Sequence, residues 1–315
     1  MSYMCEIQLI ARFGGQITPE DTGEMVRLLK DGGEINSDAW GWFTSTELHK
    51  QIGNKIRAEK FRVHDTWFLA GHNRFATQGD AQRNRNNHPF VVGNFVCLHN
   101  GIINNVEELC NEFHISCVSS SYEQIVQARF RPMKAYKKRK KGKKSKRHKE
   151  EEFSLPESSR WVMMGPSVDG IETDSYIIPK ITNQLCVEEH LISVEAFKKT
   201  LEKLKGSYSI LLYCKHEDKL LYAKNSKTSF HFALNKDNVL VASTSLVNLA
   251  QAYSEKRWVF NIDSKVYTEP SDNIIYEIAS DGIFPIDEFE SKSSGSEYKS
   301  VNFNPGSKWS VYGDY

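Results

Sequence analysis

The sequence predicts an α+β fold in which two stacked, mainly antiparallel β-sheets are flanked by helices. Short strand-like segments follow one another in hairpin-like pairs, and the helical segments are grouped between these pairs. A parallel sheet of βαβ units is disfavoured by this order. With 39% hydrophobic and 26% charged residues over 315 positions, the chain has the composition of a globular protein with a sizeable core.

The first two elements have distinct signals. Residues 5–11 alternate between apolar and polar side chains, which predicts a strand that begins almost at the first residue. Thr18 then stands as an N-cap before Pro19, and the apolar positions within residues 25–29 predict a helix. This helix is expected to end at residues 32–33, a glycine pair.

The remaining elements are predicted from the same two periodicities. Strands are expected at residues 40–44, 67–72, 95–99, 208–214, 219–223, 229–234, 239–243 and 274–278, and helices at residues 106–113, 174–184, 193–204 and 245–253. The stretch after Ile283 is Ser-rich and acidic without either period, and it predicts an extended or disordered tail over residues 284–315.

A strongly basic block interrupts the chain at residues 134–149, which read KAYKKRKKGKKSKRHK. Like charges repel one another and bury no apolar surface, so the block predicts a disordered insertion at about residues 132–155. The same charges would also attract nucleic acid or another polyanion through counterion release. The composition leaves both interpretations open.

Several protein classes are disfavoured by what the sequence lacks. It has no run of about 18 apolar residues, so no membrane partner is expected. The amino-terminal residues do not resemble a signal peptide, and a cytoplasmic location is expected. The six cysteines lack CxxC or CxxH spacing, so neither a zinc site nor a disulfide framework is predicted.

Three segments carry the functional signal: GHNRFATQG at residues 71–79, NHPF at residues 87–90 and LHNGIINN at residues 98–105. Together with Cys5, they resemble the glutamine-hydrolysing domain of class II, or N-terminal nucleophile (Ntn), glutamine amidotransferases. The resemblance implies a four-layer αββα sandwich over residues 5–283, with glutamine as the substrate and with no cofactor or metal.

Cys5 is the nucleophile that the resemblance implies. In the family this residue begins the mature chain, because its own α-amine accepts the thiol proton. The unperturbed pKa values of the two groups are similar, at about 7.7–8.0 for the α-amine and about 8.5 for the thiol. Four residues precede Cys5 here, so we expect either translation from Met4 with removal of that methionine, or cleavage of Met1 to Met4 as a short propeptide.

The resemblance also implies a glutamine pocket. Arg74 would bind the α-carboxylate, for which a planar guanidinium offers two parallel donors. Thr77 would add a hydrogen bond from the following loop. Asp174, in ETDS at residues 172–175, would receive the α-ammonium group. Taken alone, Arg74 is typical of a surface charge and Asp174 of a helix N-cap.

Asn100 and Gly101 correspond to the oxyanion hole of the family, in which fixed donors stabilise the negative oxygen of the tetrahedral intermediate. On its own, Asn-Gly is typical of a turn at a strand end. Two further positions are expected to support the site. Asp38, in DAWG at residues 38–41, would pack beneath the nucleophile, and His88 would form hydrogen bonds behind it.

The functional prediction is hydrolysis of glutamine to glutamate and ammonia through a Cys5 thioester. The ammonia is expected to pass to a separate synthase subunit. Two alternatives stay open at this point. The chain could be a stand-alone hydrolase of amides or γ-glutamyl compounds, or a non-catalytic binding protein that has kept the Ntn fold.

Overall fold

A computed structural model describes residues 5–61, 63–119, 121–126, 159–164, 166–225, 228–234, 237–249 and 267–292. The basic block, the Met1 to Met4 segment and most of the expected tail lie outside these ranges. Predictions that concern them therefore stay predictions.

The described residues include four α-helices with defined bounds, three short 3₁₀ turns and a helical segment at residues 246–249. The helices are α1 (Pro19–Ile35), α2 (Val106–Glu112), α3 (Ile177–Glu188) and α4 (Ser193–Lys203), and the turns are Ala58–Lys60, Asn84–Asn86 and Asp174–Tyr176.

The strands, in chain order, are β1 (Glu6–Arg12), β2 (Ala39–Phe43), β3 (Leu48–Ile52), β4 (Phe68–Arg74), β5 (Phe90–Val92), β6 (Phe95–Ile103), β7 (Cys117–Val118), β8 (Ser121–Val126), β9 (Ser159–Met164), β10 (Ser167–Val168), β11 (Gly206–Cys214), β12 (Lys219–Lys224), β13 (His231–Leu234), β14 (Val239–Ser243), β15 (Tyr267–Thr268), β16 (Ile274–Ala279) and β17 (Gly282–Glu288).

Two large antiparallel sheets organise these strands. The first has the order β15-β13-β14-β1-β4-β2-β3, and the second has the order β17-β16-β12-β11-β6-β5. Two small hairpin-like pairs, β7 with β10 and β8 with β9, lie outside them. The prediction of two mainly antiparallel sheets is confirmed.

Three apolar clusters show how the layers stack. Ile7 and Leu9 of β1 pack with Leu98 of β6 between the two sheets. A second cluster joins the outer face of the first sheet to α1, through residues such as Met25. The third joins the second sheet to α2, α3 and α4, with Phe197 at its centre. The order helix, sheet, sheet, helix is the αββα sandwich that the resemblance implied.

Helix α1 begins as predicted but ends later. The Thr18 hydroxyl accepts a hydrogen bond from the Asp21 amide at 3.2 Å, and the Asp21 carboxylate accepts one from the Thr18 amide at 2.9 Å, which forms a capping box. The expected end at the glycine pair is wrong, because the helix continues to Ile35. A Cβ on Gly32 would lie 2.5 Å from Asn73 Oδ1, so this glycine allows close packing on β4.

Edge elements account for most other differences from the prediction. Strands β3 and β5 were not predicted; β3 is a partly exposed edge strand, and β5 has three residues. The helix expected at 174–184 starts with a 3₁₀ turn and continues as α3. Strand β17 crosses the expected domain boundary at 283, and its pairing with β16 extends the second sheet to Glu288. Of the helix expected at 245–253, the structure describes only the part up to Leu249, where residues 246–249 are helical.

Candidate active site

Cys5 lies immediately before β1, which is an inner strand of the first sheet. Strand β1 pairs with β4 so that Glu6 faces Asn73, and continuing this register places Cys5 opposite Arg74. The Cys5 thiol donates a hydrogen bond to the Phe75 carbonyl, with 3.4 Å between Sγ and O. Cys5 as a whole residue is half-buried, and this hydrogen bond ties its thiol to the start of the loop after β4.

Charged groups from three elements act on the Cys5 sulfur. Burial raises the pKa of the thiol to about 11, while a hydrogen bond with the Phe75 backbone and the charge of Arg74 lower it. The carboxylates of Asp174 and Asp38 raise the pKa further. The thiol therefore holds its proton at neutral pH, and a base must remove the proton before the sulfur can attack.

Arg74 ends β4 and is only 3% exposed. Its NH1 donates to Asn87 Oδ1 at 2.5 Å, and its NH2 donates to the carbonyls of Gln78 at 2.5 Å and Gly79 at 3.3 Å. These three hydrogen bonds of the buried guanidinium go to neutral oxygen atoms, and the surface-charge interpretation is wrong.

The loop after Arg74 is anchored at both ends. The Ala76 amide donates to Asp38 Oδ2 at 2.7 Å, which gives Asp38 a supporting contact beside the nucleophile. Gly79 has a φ of +73°, and a Cβ there would lie 2.5 Å from the Glu172 carbonyl oxygen. Only glycine fits this approach. Thr77 is exposed between these anchors, and its expected hydrogen bond to substrate stays a prediction.

Asn100 and Gly101 lie inside β6, and not at a strand-ending turn. Gly101 has a φ of +141°, and a Cβ there would lie 1.9 Å from the Ser207 carbonyl oxygen on β11. Asn100 is 3% exposed, and its Oδ1 has no hydrogen-bond partner among the described residues. The close pairing of β6 with β11 thus fixes the backbone at the position where an oxyanion donor is expected.

Asp174 begins a 3₁₀ turn and reaches across to β6. Its Oδ2 accepts a hydrogen bond from the Ile103 amide at 2.7 Å. The Ser175 hydroxyl is 2.8 Å from Nδ1 of His99 and donates to Asp174 Oδ1 at 3.4 Å. In this turn, Thr173 is the N-cap and accepts from the Ser175 amide, so Asp174 is not the cap. These contacts hold Asp174 beside the Asn100-Gly101 segment.

Three histidines are buried behind the site. His72 and His88 stack with 4.0 Å between ring centroids, and His72 Nε2 is 3.2 Å from the His99 carbonyl oxygen. Burial lowers the pKa of all three, that of His72 to about 3, so the rings are neutral. The expected hydrogen bonds of His88 are not found, because both of its ring nitrogens are buried without a partner among the described residues.

The described residues contain no group of three or more His, Cys, Asp and Glu side chains arranged to hold a metal ion. They also contain no helix with the length and apolar character needed to cross a membrane.

The structure thus places Arg74 and Asp174 near enough to the Cys5 thiol for their charges to act on it. Asp174 is bonded to the amide of Ile103, two residues after Gly101 on β6, and Thr77 lies on the surface of the loop after β4. Sequence reasoning missed Asn87 and Ser175, which hold Arg74 and Asp174. Asn87 belongs to the run NRNN at residues 84–87, and this concentration of amides next to the NHPF segment was the available signal.

Comparison with known proteins gives sequence relatives that share one enzyme name. No protein-family model matches the chain. The glutamine--fructose-6-phosphate aminotransferase (isomerizing) of Lactococcus lactis subsp. lactis strain IL1403 is 24% identical over 182 residues, which are 58% of this chain and 22% of that protein. The enzyme of the same name from Bacillus licheniformis is 24% identical over 216 residues, 67% of this chain and 28% of that protein. The chain therefore spans about a quarter of the length of these relatives.

Solved structures share the fold. The glutamine phosphoribosylpyrophosphate (PRPP) amidotransferase from B. subtilis, complexed with ADP and GMP, superposes with a TM-score of 0.55 at 14% identity. The match covers 91% of this chain and 49% of that one. At this identity the likeness concerns the fold alone. Together, the relatives and the fold support a class II, Ntn-type glutamine amidotransferase domain, which is a class of enzymes.

Proposed function

We propose that the form of this protein beginning at Cys5 hydrolyses glutamine to glutamate and ammonia. The observation that carries the proposal is that Arg74 and Asp174 lie close enough to the Cys5 thiol for their charges to act on it. Asp174 also accepts a hydrogen bond from the Ile103 amide, two residues after Gly101. Glutamine has an α-carboxylate, an α-ammonium group and a side-chain amide, and the arrangement offers a complementary group to each.

The reaction would proceed in two stages. The α-amine of Cys5 takes the thiol proton, and the sulfur attacks the side-chain amide carbon of glutamine. The tetrahedral oxyanion is stabilised by Asn100 and Gly101, and the proton held by the amine passes to the leaving nitrogen, which departs as ammonia. Water then attacks the glutamyl thioester, so that glutamate leaves and the thiol regains its proton.

The fate of the ammonia belongs to the same proposal. Ammonia is largely protonated near neutral pH and is lost to solvent unless it is sheltered. The curated relatives are aminotransferases several times longer than the part that matches. We therefore propose that this domain delivers ammonia to a synthase site outside these 315 residues, on a partner subunit.

The test is a glutaminase assay on protein whose amino terminus has been verified as Cys5 by intact mass. We expect glutamate release by this form, and its loss in Cys5→Ala and in protein that retains Met1 to Met4. Cys186→Ala is the matched control, because Cys186 is also a half-buried free thiol but lies in α3. Full activity of Cys5→Ala, or of the form with four extra residues, would contradict the proposal.

A second measurement separates the remaining alternatives. Stimulation of glutamate release by a purified partner synthase and its acceptor would support ammonia transfer. Unstimulated activity, with other amides or γ-glutamyl compounds as better substrates, would indicate a stand-alone hydrolase. A folded, Cys5-initiated protein with no hydrolase activity would indicate a binding protein.

A further inference from the structure

Two cysteine side chains meet at the point where the chain passes from α2 to β7. Cys110 lies in the last turn of α2 and is 1% exposed, whereas Cys117 begins β7 and is half-buried. A hydrogen bond joins the two thiols. Both side chains pack in the apolar cluster between the second sheet and its helices, and both are free thiols in this structure.

The backbone explains why these two residues lie together. After α2, His114 has a φ of +53°, and the Ile115 amide donates to the Cys110 carbonyl at 2.8 Å. This is the hydrogen bond of a Schellman motif, which reverses the chain at a helix end. On its other side, Cys117 is the Cα partner of Val168 on β10. The contact between the thiols is therefore held by the fold on both sides.

The two sulfur atoms differ in how an oxidant can reach them. Cys117 is partly exposed, and Cys110 is covered by the core. Burial and, after it, the contact with Cys117 raise the pKa of the Cys110 thiol above its ordinary value, so this thiol keeps its proton at neutral pH. A sulfenic acid formed on an accessible cysteine condenses with a neighbouring thiol to a disulfide. Cys117 is thus the sulfur that reacts first, and Cys110 is the neighbouring thiol.

We propose that Cys110 and Cys117 form a reversible disulfide when the protein meets a hydroperoxide. The Cys117 sulfur attacks hydrogen peroxide, so that an S–O bond forms, the O–O bond breaks, and the departing oxygen takes the Cys117 proton and leaves as water. The Cys110 sulfur then attacks the Cys117 sulfur. The S–S bond forms, the S–O bond breaks, and the departing hydroxide takes the Cys110 proton and leaves as a second water. Two thiols are oxidised by two electrons, and one hydrogen peroxide is reduced.

The disulfide would connect two segments that lead into the candidate site. Helix α2 begins at Val106, shortly after Asn100 and Gly101. Strand β10, the partner of β7, ends at Val168, shortly before Asp174. A bond between α2 and β7 therefore joins these segments covalently. The inference does not depend on the proposed glutamine hydrolysis, because neither thiol takes part in that reaction.

The test maps the cysteines of the folded full chain before and after treatment with hydrogen peroxide. Unreacted thiols are alkylated in denaturant, and the chain is digested with an endopeptidase that cleaves after glutamate. This digestion separates Cys110, in residues 109–112, from Cys117, in residues 113–123. Mass spectrometry then shows whether the two peptides are linked. Cys117→Ser removes the proposed first thiol, and Cys186→Ser is the matched control, because Cys186 is another half-buried free thiol.

In the peroxide-treated parent we expect the linked peptides 109–112 and 113–123 as the main product of both cysteines, and we expect dithiothreitol to restore both thiols. Cys186→Ser should give the same linked pair. In Cys117→Ser, Cys110 should remain open to alkylation. Complete alkylation of Cys110 in a parent whose Cys117 has been oxidised, or linkage of Cys117 mainly to another cysteine, would overturn the inference. The digest of the parent decides even if a variant does not fold.

Discussion

Burial holds the proton on the Cys5 thiol, whose pKa is raised to about 11. A thiol of this kind is a poor nucleophile at neutral pH unless a base lies in contact with it. The amide nitrogen that Cys5 has while Met4 precedes it is not basic. At the residue scale, the proposed chemistry therefore requires one cleavage that turns this amide into an amine.

The Asn100 side chain gives a direct test of the oxyanion hole. Removing one fixed donor from such a site costs about 10²–10³ in kcat. We expect Asn100→Ala to lose activity by this factor with little change in the KM for glutamine, measured by steady-state glutamate release. Asn104→Ala is the matched control, because Asn104 is an exposed asparagine four residues further along the chain. Equal losses in both variants would exclude a specific role for Asn100.

The predicted residues of the site were recognisable because they lie in short contiguous motifs. Cys5, Arg74, Asn100, Gly101 and Asp174 were all predicted from the sequence, and the structure places Arg74 and Asp174 near the Cys5 thiol. The residues that bond to these side chains were not identified, because the contacts join segments that are separated in sequence and meet only in the folded chain. Asn87 reaches back 13 residues to Arg74, and Ser175 contacts His99 across 76 residues.

At the scale of single elements, helix α1 shows why the sequence misled. Glycine at the end of an apolar period is typical of a helix stop. Here, however, Gly32 lies against a buried polar group on the first sheet, where a Cβ would meet Asn73, Glu6 and Gln8 at 2.5–2.9 Å. A glycine at this position is compatible with a helix end and also with close packing of the helix on a sheet. Only the neighbouring strands show which of the two applies.

Two glycines of α1 provide a matched test of this interpretation. Gly32→Ala should lower the free energy of unfolding by about 1–3 kcal/mol, because the new methyl group overpacks against Asn73. Gly23 has no atom within 4 Å of the Cβ position, so Gly23→Ala should raise the free energy of unfolding by about 0.5–1 kcal/mol. Urea unfolding measures both. Stabilisation by both substitutions would show that Gly32 is not required for packing.

Strands β3 and β5 show the other limit of sequence reasoning. The core strands β1, β4 and β6 were predicted because burial imposes a regular apolar pattern on them. Strand β3 lies at an edge of its sheet with a partly exposed, polar sequence, and β5 has three residues at an edge of the other sheet. Pairing with a neighbour defines such strands, and their own composition does not.

At the scale of the whole molecule, stability depends on a buried carboxyl group. Glu6 Oε1 accepts a hydrogen bond from Ser243 at 2.8 Å, and Oε2 accepts one from Asn248 at 2.6 Å. Burial raises the pKa of Glu6 to about 7, whereas an unfolded chain titrates near 4.5. The folded state therefore retains a proton that the unfolded state has lost, and this contribution to stability declines as the pH rises from about 4.5 through 7.

Glu6→Gln is expected to remove this pH dependence, because the amide keeps the shape of the protonated acid and does not ionise. Relative to the variant, the parent should lose on the order of 3 kcal/mol of unfolding free energy between pH 4 and pH 8. Urea unfolding at several pH values provides the measurement. The exposed Glu59→Gln should follow the parent. Parallel curves for the parent and Glu6→Gln would contradict the assignment.

The short pairing of β7 with β10 has a consequence for how this domain can diversify. Val118 and Ser167 are Cα partners, as are Cys117 and Val168, so the two ends of the chain segment between them lie side by side. An insertion between these partners therefore starts and ends at one place, and it need not disturb the segment at Asp174 that follows. The β7–β10 pair is therefore a position at which evolution or a protein engineer could exchange the inserted segment while the two large sheets stay the same.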